Sequence, residues 1–306
     1  MSIEGRRYCR FSYRERYGMR LQKLVLDAGF SCPNRDGSIS HGGCSFCDNA
    51  AFHPSYTSGK SISEQIDAGM AFHSAKKSEK TGYLAYFQAF SNTYAPLDVL
   101  KQRYTEALSH PQVAGLVIGT RPDCVDSEKL DYIASLRESG KIIEMEYGVE
   151  SVYDETLRRV NRGHDFASAC KAIEETAARG IDCCAHLILG LPGEDREMLT
   201  GVSERLNRLP LDSVKFHQLQ ILKGTKMEAE YKEKPEDFLR MGADEYIELL
   251  CDIIERLRPD IAIARIASSV PPRFTDAPWG LLRHDELMHR LEQRLEQRGS
   301  RQGIYY

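Results

Sequence analysis

Short apolar runs alternate with amphipathic helical stretches along the chain, and no other feature restricts the fold so strongly. Strand-like segments fall at Lys23–Gly29, Tyr83–Phe90, Gly115–Thr120, Ile142–Gly148, Cys183–Leu189 and Val214–Leu222, with a last candidate at Ile261–Ile266. Helical periodicity occupies Ser61–Lys77, Leu97–Ser109, Ser127–Ser139, Tyr153–Val160, Phe166–Arg179, Glu194–Arg208, Phe238–Arg258 and Asp285–Arg298. The Ser61-Ile-Ser-Glu start has capping-box spacing, and Gly140 and Gly180 stop two of the helices. A strand–helix repeat specifies parallel strands, because a parallel pair needs a long crossover where an antiparallel pair needs only a tight turn. Six or seven such units in 306 residues predict an α/β fold, a partial (βα)6-type TIM barrel. The expected division is a basic N-terminal arm over 1–22, a barrel core over 23–225 and a C-terminal helical and strand extension over 226–306. That extension opens with a polar Lys/Glu-rich insertion at 226–237.

In such barrels chemistry sits at the C-terminal ends of the strands. The unusual loops fall there: Thr120-Arg-Pro-Asp-Cys124 after strand three, Gly148-Val-Glu-Ser151 after strand four and Gly190-Leu-Pro-Gly-Glu194 after strand five. The loop after strand one carries Cys32, Cys44 and Cys47 among several glycines. Three thiolates on one loop suit a [4Fe–4S] cube with one iron left open for a small molecule. They also suit zinc, which needs a fourth ligand to close its tetrahedron, and His41 or His53 could supply it.

The bulk numbers exclude several classes. No apolar stretch is long enough to span a bilayer, and the N-terminus lacks the apolar core of a secretory signal. Nine cysteines without such a signal point to reduced thiols and a cytoplasmic location. The net charge of −4 does not advertise a nucleic-acid binder. Residues 1–23, however, hold seven basic against two acidic residues, with Tyr8, Phe11, Tyr13 and Tyr17 interleaved. Basic plus aromatic composition fits RNA contact, and fits equally a solvated lead-in to the first strand.

The Cys-rich loop after strand one, with Phe46 just before Cys47, resembles the radical S-adenosylmethionine (SAM) superfamily. The eleven-residue gap between the first two cysteines departs from the usual CxxxCxxC and matches the branch related to the Elongator catalytic subunit. Gly29-Phe-Ser-Cys-Pro-Asn-Arg-Asp-Gly37, Tyr86-Phe-Gln-Ala-Phe90, Gly119-Thr-Arg-Pro-Asp-Cys-Val125, Leu187-Ile-Leu-Gly-Leu-Pro-Gly193 and Val160-Asn-Arg-Gly-His-Asp-Phe166 together resemble the bacterial YhcC-like (YtqA-like) family. The resemblance implies that Cys32, Cys44 and Cys47 ligate a [4Fe–4S] cluster whose fourth iron chelates SAM. It places Phe46 near the cluster and adenine, and Arg162 on the SAM carboxylate. It also places Glu150 at the ribose or amine, Gln88 where a Gly-Gly-Glu motif usually stands, His186 at a ribose-ligand position and Gly190 against adenine. Cys124 is a candidate hydrogen-atom donor.

The implied chemistry is reductive cleavage of SAM to a 5′-deoxyadenosyl radical, fed by an electron donor such as flavodoxin or ferredoxin. The implied substrate is tRNA, at a wobble uridine whose 5-carboxymethylaminomethyl group would be trimmed to 5-aminomethyl. The basic arm and the C-terminal arginines (Arg256, Arg258, Arg265, Arg273, Arg283, Arg290, Arg294, Arg298 and Arg301) are the expected RNA surfaces. Two alternatives stay open: a radical SAM enzyme acting on a small metabolite or protein, and a zinc-bound RNA-binding protein.

Overall fold

The computed structural model of the chain describes residues 5–48, 54–73, 81–268, 270–275 and 283–306. Seven strands form one sheet in sequence order: β1 (Arg20–Leu26), β2 (Thr81–Phe87), β3 (Val113–Thr120), β4 (Ile142–Glu150), β5 (Asp182–Leu189), β6 (Ser213–Gln218) and β7 (Ala262–Arg265). Every neighbouring pair is parallel. The crossovers are α2 (Ile62–His73), α3 (Leu97–Leu108), α4 (Ser127–Ser135), α5 (Asp154–Arg159), α6 (Phe166–Ala178), α7 (Arg196–Leu206), α8 (Lys226–Glu233) and α9 (Ala243–Arg256). A short α1 (Tyr13–Tyr17) precedes the sheet and α10 (His284–Gln297) follows it. The expected tail of the second helix beyond His73, and His53, lie outside the described residues.

Side chains from distant strands prove that the sheet curls. Lys23 on β1 and Lys215 on β6 both place Nζ 2.5 Å from Glu146 Oε1 on β4. In a flat sheet β1 and β6 would lie about 24 Å apart, at ~4.8 Å per strand. Strand alternation then sorts the core. On β4, Ile143, Met145, Tyr147 and Val149 pack outward in the main core, while Glu144, Glu146, Gly148 and Glu150 take the other face. Leu21, Leu84 and Val117 pack with Tyr86 in a smaller inner cluster, against which Tyr13 and Tyr17 of α1 pack.

The basic arm is thus partly structural. Tyr13 donates to Glu144 (2.6 Å) and Tyr17 to Asp182 (2.7 Å), and Arg16 bridges Asp182 and Asp212 at 2.6 and 2.8 Å. These partners lie at or near the strand N-termini, so α1 covers the end of the barrel opposite the expected chemistry. The C-terminal arginines divide similarly. Arg258, Arg290, Arg294 and Arg298 are paired with carboxylates of their own chain.

Three boundaries moved. β6 stops at Gln218, because β7 ends at Arg265 and the Gln218 side chain instead pairs both ways with the Ser268 backbone. The helix expected from Phe238 starts at Ala243, as α9, where Glu245 accepts from the Gly242 N–H. The polar insertion at 226–237 is largely helical: Thr225 caps α8 by accepting from the Glu228 N–H.

Candidate active site

The cysteine loop leaves β1 and is pinned to the segment after α5. Asn34, fully buried, donates to the carbonyls of Asn161 (2.6 Å) and Arg162 (2.9 Å). Asn161 donates back to Ser40 Oγ and to the Gly43 carbonyl, both at 2.8 Å. Gly163 must be glycine: its φ is +80°, and a Cβ would lie 2.3 Å from Asn34 Oδ1. The loop also receives the Met227 N–H on the Ser45 carbonyl (3.0 Å), so α8 supports it.

One cavity of about 600 Å³ opens at this end of the barrel, lined by Cys32, Cys44, Cys47, Phe46, Gln88, Glu150, Arg162 and His186, among others. Eight of the ten residues singled out from sequence therefore converge. Two stand apart from its lining. Cys124 is buried, with its thiol pushed up to about 11 by that burial. Gly190, at φ +88°, faces the Leu239 carbonyl.

Arg162 is the electrostatic hub beside the thiols. It is buried, donates to Cys44 Sγ at 3.5 Å and to the Gly148 carbonyl, and lies 3.4 Å from Glu150 Oε1. Burial opposes its charge, but Cys44 and Glu150 hold it firmly protonated. A Cβ at Gly148 would lie 2.6 Å from both Arg162 Nη2 and Glu150 Oε1, so the tips of both side chains would have to shift to admit it. Glu150 itself sits at φ +68° on a register shift of β4, with its carboxyl pushed up by burial. Arg121 also lines the cavity, but makes its direct contacts elsewhere. It grips Asp123 through two hydrogen bonds (2.9 and 2.7 Å) and donates to the Arg162 carbonyl, locking the loops after β3 and α5 together. Arg35 donates to the Cys47 carbonyl at 2.9 Å.

Deeper lies a network that the sequence reading missed. Glu146 receives Lys23 and Lys215 on Oε1 and the Tyr86 hydroxyl on Oε2 at 2.6 Å. Tyr86 is flanked by the two ammonium groups, 5.1 and 5.3 Å from its ring centre. His186 Nε2 is 2.9 Å from Glu146 Oε2 but is misaligned and stays without a hydrogen bond. Burial, with Lys215 beside it, pulls His186 down to about 4, so the ring is neutral. The available signal was charge inside the strands (Lys23, Glu144, Glu146, Lys215), where a parallel sheet is ordinarily continuously apolar.

The donor set fits the expected cofactors. Glu146, Cys184 and His186 are the only three potential ligands among the described residues whose donor atoms all lie within 4.8 Å. The three loop thiols are therefore not gathered around one point, as a single zinc at ~2.3 Å per sulfur would require. Nor is His41 poised as a fourth ligand: it is exposed and sits against Gly37. Arg162 Nε is buried without a partner, a donor left over for a ligand carboxylate. The Glu146–Cys184–His186 group holds two lysines already, which leaves no place for a cation.

A profile of the radical SAM superfamily matches residues 36–206, and one of the Radical_SAM C-terminal domain matches residues 211–297. The chain belongs to the radical SAM superfamily. This radical SAM protein is 36% identical to YtqA of Bacillus subtilis, over 98% of this chain and 93% of the relative. It is 26% identical to the tRNA uridine(34) acetyltransferase of Methanocaldococcus infernus, over 56% of this chain and 31% of that protein. The solved structure of Methanocaldococcus infernus Elp3 shares the fold, with a TM-score of 0.69 at 17% identity over 93% of this chain. The match spans 64% of that archaeal chain, under two thirds of its length. Radical SAM enzymes work with a [4Fe–4S] cluster and SAM, which are this enzyme's cofactors. No helix among the described residues is long and apolar enough to cross a membrane.

One buried carboxyl ties the loops after β4 and β5. Glu194 accepts from Ser151 Oγ at 2.5 Å, and burial pushes it up to about 7. A folded pKa above the unfolded value means stability that is full in acid and lost as pH rises toward 7. The shift from 4.5 corresponds to about 3 kcal/mol between pH 4 and pH 8. Glu194→Gln should abolish that slope; urea midpoints of the variant and wild type that stay parallel across this range would contradict it.

Proposed function

We propose that this radical SAM enzyme modifies the C5 side chain of a tRNA wobble uridine, converting 5-carboxymethylaminomethyl to 5-aminomethyl. The observation that carries the reading is the likeness to a tRNA uridine(34) enzyme, in a barrel that also shares the archaeal Elp3 fold. Cys32, Cys44 and Cys47 hold the cluster, and Arg162, through its unpartnered Nε, takes the SAM carboxylate. Glu150, Gln88 and His186 line the remainder of the SAM site, with Phe46 beside the cluster. Bound there, the cofactors supply the one-electron chemistry that removes a hydrogen atom from a substrate C–H bond. The surrounding residues orient both molecules and exclude water. The electron donor is a flavodoxin- or ferredoxin-type protein, and the RNA is met by arginines without carboxylate partners among the described residues, such as Arg265 and Arg273.

The test is 5′-deoxyadenosine release by the reconstituted, reduced enzyme, with and without tRNA from cells lacking it. A sharp rise with that tRNA, together with appearance of the 5-aminomethyl nucleoside, is the expected result. Release indifferent to RNA would return the enzyme to a small-metabolite or protein substrate.

A further inference from the structure

The inner wall formed by β6 and β7 carries a charge pattern that the cofactor site does not use. Lys215 and Arg265 are register partners on these neighbouring strands, and both line the cavity. Like charges set opposite each other on adjacent strands repel and are ordinarily avoided. Their counter-charge is incomplete. Glu146 offers one negative charge, and a single oxygen of it already serves both Lys215 and Lys23. Glu144 assists Lys23 at 3.5 Å while accepting from Tyr13. Nothing comparable faces Arg265, whose side chain has no ion pair or hydrogen bond among the described residues. His217, two positions along β6 from Lys215 and so on the same face, also lines the cavity, and its side chain makes no hydrogen bond among the described residues; its ring lies tilted against His186, with centroids 5.5 Å apart.

The whole lining is unbalanced in the same direction, with six lysines and arginines against two glutamates. Arg162 is matched by Glu150, Arg121 by Asp123, and Arg35 lies by the cysteines. The excess that remains sits on the β6–β7 wall. A flat guanidinium beside an ammonium is the geometry that grips a carboxylate or phosphate, the guanidinium through two parallel hydrogen bonds.

We infer that the β6–β7 wall of the cavity, with Lys215, His217 and Arg265, is a seat for an anionic oxygen group of the substrate. This rests on the reading of the cavity as the reaction chamber, and it deepens the proposed function. The carboxylate of a 5-carboxymethylaminomethyl group is one source of such an anion, and a phosphate of the nucleic-acid backbone is the other. Seating the carboxylate would distinguish the substrate from its 5-aminomethyl product, which has lost that charge.

The experiment measures equilibrium binding by calorimetry to the cluster-loaded enzyme with SAM present. The probes are N-acetylglycine, its neutral twin N-acetylglycinamide, and inorganic phosphate. Saturable binding of an anion, with the amide at least tenfold weaker, is expected. Arg265→Gln should weaken the anion at least tenfold, while Arg208→Gln, at an exposed arginine after α7 and outside the cavity lining, should not change it. Arg265 is exposed and unpaired, so its replacement leaves the fold intact. Preference for N-acetylglycine assigns the seat to a substituent carboxylate, and preference for phosphate assigns it to the backbone. Equal binding of acid and amide, or anion binding unchanged in Arg265→Gln, would overturn the inference. Anion binding that persists while tRNA fails to stimulate 5′-deoxyadenosine release would remove the tRNA reading and leave the seat standing.

Discussion

Replacing Cys44 by alanine is expected to leave a folded protein that holds no [4Fe–4S] cluster and releases no 5′-deoxyadenosine. Cys44 is the most enclosed of the three loop thiols, 6% exposed, and both Arg162 and Asn34 point donors at its sulfur, at 3.5 and 3.6 Å. Losing a group one shell outside a metal costs about 10- to 100-fold, so losing a ligand should cut release by more than ~100-fold. The fold should survive, because the loop is held by Asn34, Asn161 and the Ser45 backbone rather than by the sulfur. Iron and sulfide content, circular dichroism and 5′-deoxyadenosine release read the three parts separately. Full iron content with undiminished release would refute the ligand assignment.

The second large effect belongs to Glu146. Glu146→Gln should destabilise the protein by about 3–5 kcal/mol, the usual cost of stripping one partner from a buried ion pair. The carboxylate is 1% exposed and neutralises two ammonium groups, while Tyr86 satisfies its other oxygen. Burial alone would raise its pKa, but Lys215 and Lys23 hold it well below the ordinary carboxylate range. The sign follows: this contribution is fully present above the ordinary carboxylate pKa of 4.5 and is lost progressively as acid carries the pH from there down through the depressed value. An amide cannot be ionised, so the variant should lose that acid limb and sit lower at pH 7. Adding Lys215→Met should recover part of the loss by removing one stranded charge, a coupling that a double-mutant cycle isolates. A midpoint in urea that moves by less than the equivalent of ~1 kcal/mol would show that the network is not stabilising.

Much of the fold was legible because strand and helix periods are local properties. The six main strands appear within a few residues of their expected positions, and the helix stops at Gly140 and Gly180 lie where the glycine positions imply. The boundaries that shifted were set by partners remote in sequence, as at Gln218, whose side chain is taken by Ser268. The RNA reading of the N-terminal arm suffered for the same reason. Composition records that Arg16, Tyr13 and Tyr17 are basic and aromatic, but not that Asp182, Asp212 and Glu144 wait at the strand N-termini to bind them.

The amino-acid sequence by itself determined the parallel α/β architecture, the three-thiol loop after the first strand and the family to which the chain belongs. Periodicity and short motifs carry that information, and both are written within a few tens of residues. Only the tertiary structure decided that eight candidate residues share one cavity, that Arg162 rather than Arg121 reaches Glu150, and that Lys23 and Lys215 meet on Glu146. Those contacts join residues separated by as many as 123 positions, and they exist because the sheet curls. Curling turns alternate residues of every strand toward a common interior, where charges that look isolated in the sequence must find one another or remain available to a ligand.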